Sequence, residues 1–137
     1  MAIYTIIVQT GTAFGSGTDA NVHIQLHGSE ESSAPIILDH PERDDFESGS
    51  LDHFVLDMPD LGFIEGILIG HDNTGTGPGW FLNYVIVRNE DTQEEWEFQI
   101  QRWLATDELD GAIEVEVFMS DDEGDDIVEE EVYYEEY

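Results

Sequence analysis

The chain has 137 residues, 40% of them hydrophobic, with no cysteine and a formal net charge of −30 from 33 acids, three arginines and no lysine. That length fits one domain with a single core. The absent cysteines exclude disulfides, thiolate metal sites and a cysteine nucleophile, and the scarcity of basic residues excludes nucleic acid as a partner, because phosphate binding rests on Lys and Arg.

Taken in chain order, short runs rich in Ile, Val, Phe and Tyr alternate with clusters of Gly, Pro, Asn and Asp. The pattern predicts strands at Ile3–Gln9, Asn21–His27, Pro35–Leu38, Leu51–Asp57, Phe63–Gly70, Phe81–Arg88, Glu95–Gln101 and Ile113–Phe118. Several alternate with period two. Val22, Ile24 and Leu26 oppose His23, Gln25 and His27. Trp96, Phe98 and Ile100 oppose Glu97, Gln99 and Gln101. Eight such strands form an all-β fold, an antiparallel two-sheet sandwich. Residues 1–118 make this body, and 119–137 an acidic tail expected to be flexible. MAIYTIIVQTG has no basic segment ahead of its apolar residues and does not read as a signal peptide. No apolar run reaches the ~18 residues of a transmembrane helix. The expected location is cytoplasmic or peripheral to a membrane.

Ten acids fall in the tail, which leaves 23 acids against three arginines and a body near −20. Self-repulsion on that scale weakens a compact state at low salt. Screening within about 3 Å at 1 M salt relieves it. An acidic surface without lysine is the pattern expected of a halophilic protein, and a calcium-loaded acidic protein in ordinary salt is the other reading.

Six segments then fall into one order: YTIIVQTG, GSGTDANVHIQLHG, ILDHPERDDFESGSLDHF, DLGFIEGILIGHDN, GPGWFLNYVIV and FQIQRWL. This order resembles the PLAT/LH2 domain, the C2-like eight-stranded sandwich that accompanies lipoxygenases and lipases. The resemblance covers Ile3 to Phe118. It implies a stand-alone binding module, not an enzyme, that meets a lipid membrane surface or a protein partner, in several members with calcium. Ca²⁺ takes six to eight oxygens from carboxylates, carbonyls and water. On the resemblance, the carboxylates of Asp19, Asp44, Asp45 and Glu47 and the backbone or hydroxyl oxygens of Gly17 and Thr18 supply them. Asp39 and the His40 carbonyl serve a second ion. In a chain this acidic the same residues have plainer readings: Asp19 and Asp39 as turn caps, and Arg43 as an ion-pair partner of Asp45.

Phe14, in the first loop, and Trp103 match positions that contact lipid in membrane-binding members, as interfacial aromatics do. Trp80 matches a tryptophan buried between the sheets. Asp72 and Asn73, in the loop His71–Pro78, offer further oxygens or a plain turn. His23 and His27, about 13 Å apart along one strand, are too far apart for one zinc ion and are expected to face solvent. No catalytic constellation stands out. The competing function is a calcium-independent protein-interaction or stress-associated module whose acidic surface serves solubility in salt.

Overall fold

The computed structural model describes residues 1–13, 15–18, 20–39, 45–75, 79–107 and 111–119. It contains eight strands: β1 (Ala2–Thr10), β2 (Val22–Gly28), β3 (Ile36–Leu38), β4 (Leu51–Met58), β5 (Ile64–His71), β6 (Trp80–Asn89), β7 (Glu94–Leu104) and β8 (Glu114–Phe118). They lie within one residue of the expected bounds, except that β7 runs on to Leu104. Two four-stranded sheets form, in the orders β4-β1-β6-β7 and β3-β2-β5-β8, and every neighbouring pair is antiparallel. The β2–β3 and β6–β7 connections stay within a sheet, and all others cross between the two.

The alternation in the sequence becomes the core. Tyr4, Ile6 and Val8 of β1 and Val85, Val87, Trp96 and Phe98 of β6 and β7 face Val22, Ile24, Leu26, Ile67 and Ile69 of the other sheet, all buried. Two β-sheets packed this way sit about 10 Å apart. The alternation breaks once in the first sheet. The β6 register shifts between Leu82 and Tyr84 against both neighbours, and β7 carries Gln101 at a φ of 51° opposite the shift. A bulge re-aims the residues beyond it, so Trp80 and Leu104 both come to face the core. Ile100, expected inward beside Phe98, is only half-buried.

Several buried polar groups are tied off. The Trp80 Nε1–H donates to Thr10 Oγ1 at 3.0 Å. The Tyr4 hydroxyl accepts the Leu61 N–H at 3.0 Å, and burial pushes its pKa up. His71 is 1% exposed, its Nε2 2.7 Å from the Leu104 carbonyl and its Nδ1 3.0 Å from the Asn73 N–H. A carbonyl only accepts and an N–H only donates, so the partners fix the neutral Nε2–H tautomer. Met119 extends β8, donating its N–H to the Glu65 carbonyl at 2.7 Å. The tail from 120 onward lies outside the described residues, and among the described residues no helix is long and apolar enough to cross a membrane.

Candidate functional site: the loop end of the sandwich

Strand directions bring the connections 11–21, 39–50, 72–79 and 105–113 to one end. The two loops singled out in the sequence touch there. The Thr18 N–H donates to the Phe46 carbonyl at 3.0 Å, and the Gly17 N–H to Ser48 Oγ at 3.2 Å. Gly17 permits this approach, since a Cβ there would stand 2.6 Å from the Phe46 carbonyl oxygen and 3.0 Å from the Glu47 Cα. The Thr18 side chain is buried, and its Oγ1 accepts the Ala20 N–H at 3.1 Å, closing a turn before β2.

Phe46 organises the second loop. Its ring is buried, stacked on Phe54 at 5.6 Å and edge-on to Trp80 at 5.3 Å. Its φ is 63°, a left-handed conformation rare for a bulky side chain and worth about 1–3 kcal/mol of strain. Its N–H donates to Asp52 Oδ2 at 3.0 Å, which also accepts the Ser50 hydroxyl at 2.8 Å. The ring, the buried Asp52 carboxylate and the Thr18 contact together hold this backbone turn in place. Asp45, half-buried, and Glu47, exposed, flank it. Asp39 follows β3 and is exposed. Phe14, Asp19, His40 and Asp44 lie outside the described residues. Gly17, Thr18, Asp45 and Glu47 are thus brought to one neighbourhood, and their hard oxygen donors suit Ca²⁺ rather than a thiophilic metal. Among the described residues no three His, Asp or Glu side chains gather closely enough to hold an ion.

Asp72 has a structural occupation. One carboxylate oxygen accepts the Asn21 N–H at 3.1 Å, the Thr74 N–H at 3.2 Å and the Thr74 hydroxyl at 2.6 Å, and the other accepts the Asn21 side-chain amide at 2.8 Å. The Thr74 hydroxyl, then Asn21, hold this carboxyl well below the usual range. The plain-turn reading of this loop therefore describes Asp72, which staples the third loop to the first. Ser16, next to Gly17, has a buried hydroxyl with no hydrogen-bond partner among the described residues. Trp103 is half-buried and edge-on to Phe81 at 5.5 Å. Phe81 donates its N–H to the Ser16 carbonyl, so Trp103 stands at the root of the first loop.

Sequence reasoning missed a second polar feature, on the outer face of the β3-β2-β5-β8 sheet. His23 and His27 do lie on the solvent face, but each bridges across a glycine of β5. His23 Nε2 meets Glu114 at 3.0 Å across Gly70, and His27 Nε2 meets Glu116 at 2.8 Å, its ring stacked on Phe118 at 5.7 Å across Gly66. A side chain at either glycine would collide with β8. The signal was the four-residue spacing shared by the two histidines and the two glycines, which pairs up only once the register is known.

With this geometry in view, residues 4–119 match the PLAT/LH2 domain family. The chain belongs to that family. Over 116 residues it is 39% identical to human lipoxygenase homology domain-containing protein 1, covering 85% of this chain and 6% of that one. It is 43% identical over 105 residues to mouse polycystin-1-like protein 3, covering 76% and 5%. This PLAT/LH2 chain therefore spans only about a twentieth of these relatives. Among solved structures, coral 8R-lipoxygenase, described as calcium-activated through a C2-like domain, superposes with a TM-score of 0.75 and 30% identity over 85% of this chain and 17% of its own.

Proposed function

We propose that this PLAT/LH2 domain is a non-catalytic module that binds Ca²⁺ at its loop end and uses that end to contact a lipid membrane surface or a protein partner. The observation that carries the reading is the direct contact of Gly17–Thr18 with Phe46–Ser48, two loops rich in oxygen donors. The likeness to a domain described in calcium activation supports it. Asp45 and Glu47 are the described carboxylates nearest that contact, with Asp19 and Asp44 adjoining in sequence. Asp39 and the His40 carbonyl serve a second ion. Phe14 and Trp103 offer the apolar contact. A bound cation also lowers the negative charge that repels anionic lipid.

A ligand that binds only the folded state raises stability by about 2.7 kcal/mol at one hundred times its Kd. Thermal melts across a Ca²⁺ titration, with Mg²⁺ as control, are expected to rise, and Asp45→Ala with Glu47→Ala to lose the rise. No shift at millimolar Ca²⁺ refutes the site. Liposome sedimentation of the native chain, Phe14→Ala and Trp103→Ala, with and without Ca²⁺, then separates lipid from protein contact. The second reading is a calcium-independent interaction module, supported by an acidic, lysine-free composition that serves solubility without any ion. Calcium-insensitive melts would select it.

A further inference from the structure

Among the described residues the sandwich has four edge strands, β4 and β7 in one sheet and β3 and β8 in the other. An unprotected edge is a template for another strand, and folded proteins blunt edges with shortness, bulges or charge. Three of the four are blunted. β3 has three residues. β8 has five, and Glu114 and Glu116 occupy its solvent face. β7 exposes Glu94, Glu95 and Glu97 and is bulged near Gln101. β4 differs. It pairs with β1 in unbroken register from Leu51 to Met58, with no proline or glycine. Its first half carries the inward, buried Asp52, a charge that discourages pairing beyond it. Its second half, Val55–Met58, has no inward charge, and among the described residues no strand lies outside it.

Beside that half opens a cleft of about 390 Å³ between the edges of the two sheets. Its apolar lining is Ala34, Ile36, Leu56, Met58, Pro59 and Leu61, and the exposed residues Glu31 and Asp57 stand at its mouth. Among the described residues no arginine lines it. On the solvent face Val55 is 69% exposed, a large aliphatic side chain left uncovered on a regular strand.

We propose that β4 receives an extended segment of a partner protein as a fifth strand of its sheet. Main-chain hydrogen bonds to Val55–Met58 supply affinity, and alternate side chains supply specificity. The inward side chains of the guest are apolar and fill the cleft against Ile36, Leu56 and Met58. Outward, an aliphatic residue covers Val55, and a Lys or Arg stands near Asp57. Charge selects the occupant. The mouth is acidic and the chain carries −30, so a second copy or an acidic strand is repelled and a basic, apolar one is attracted. Met58 lies at the far end of β4 from the calcium loops, so this surface is separate from the one proposed above.

The test is selection of a displayed library of random peptides of about ten residues, long enough to pair along β4, against the full chain with calcium chelated. Enriched peptides are expected to alternate apolar residues with Lys or Arg. They should slow amide exchange along Val55–Met58 and leave Gly17–Ser48 unchanged. Val55→Lys and Asp57→Lys, both at exposed positions, should each weaken binding about tenfold. N-methylation of alternate peptide amides should abolish it. Failure to enrich, an acidic consensus, protection mapped elsewhere, or unchanged affinity in Val55→Lys with an intact melt overturns the proposal.

Discussion

At one end of the sandwich the connections 11–21, 39–50, 72–79 and 105–113 gather, and at the other lie 29–35, 59–63 and 90–93. The second group is knitted largely by its own backbone and turn residues. The Ser29 N–H donates to the Phe63 carbonyl and the Glu30 N–H to the Leu61 carbonyl, at 2.8 and 2.9 Å. The Asn89 side chain caps the 90–93 turn through the Asp91 and Thr92 N–H groups. At the loop end the backbone also bonds from loop to loop, as from the Gly49 N–H to the Gly11 carbonyl and the Asp72 N–H to the Asn21 carbonyl, and side chains add to it: Phe46 inserted in the core, Asp52 on its amide, His71 on the Leu104 carbonyl and Asp72 on Asn21. What sets this end apart is the inserted Phe46 ring, an anchor in the core that reinforces the backbone bonds around it. Beside this anchor Glu47 is exposed.

Breaking the strongest anchor should give the largest effect. Phe46→Ala is expected to destabilise by about 3–5 kcal/mol, as large aromatic truncations in a core do, and to speed amide exchange at Thr18 and Ser50 while sparing Leu61. A loss spread evenly over both ends in native-state exchange would erase the contrast. Next is a buried fastening at the opposite end. Tyr4→Phe leaves the Leu61 N–H unpaired and should cost about 1–3 kcal/mol in urea unfolding at neutral pH. The Tyr4 pKa is raised by burial, so its neutral form is favoured by folding. Its contribution is complete below about pH 10, the unfolded value, and disappears as pH rises through the folded one. The variant should therefore lose less stability than the native chain in alkali.

Asp72→Asn should have a smaller effect, confined to the loop end. The folded pKa of Asp72 is depressed, so its contribution is present above about pH 4 and lost as pH falls through the folded value. Melts of native chain and variant should converge in acid, and a gap that persists there would remove the carboxylate from the explanation. Ser16→Ala should change least, within about 0.5 kcal/mol and toward greater stability, because it deletes a buried hydroxyl that has no partner among the described residues. A clear destabilisation instead would mean that this hydroxyl serves a water or ion at the loop end.

All eight strands were legible because a half-buried strand writes its two faces into the sequence with period two. That signal fades where register slips, which is why the end of β7 and the inward turn of Leu104 escaped it. The nearness of the first two loops was expected only through the family likeness, since nothing in Gly17–Asp19 alone points to Asp39–Glu47. The role of Phe46 was not legible: an aromatic among acids carries no sign of its φ or of the gap between Phe54 and Trp80 that it fills. The His23 and His27 bridges were hidden for another reason. They depend on which residues of β8 stand two strands away, beyond Gly66 and Gly70, and that is a property of register rather than of composition.

The inserted ring of Phe46 also bears on chain entropy. Fastening the β3–β4 connection at one internal point divides it into two independent loops, residues 39–45 and 47–50. Doubling the length of a loop costs only about 0.6 kcal/mol in closure entropy, so changes of length or charge ahead of Phe46 are expected to cost the sandwich little. The residues beyond the ring keep their turn regardless. A domain built this way can retune the reach and charge of one loop while its scaffold stays the same.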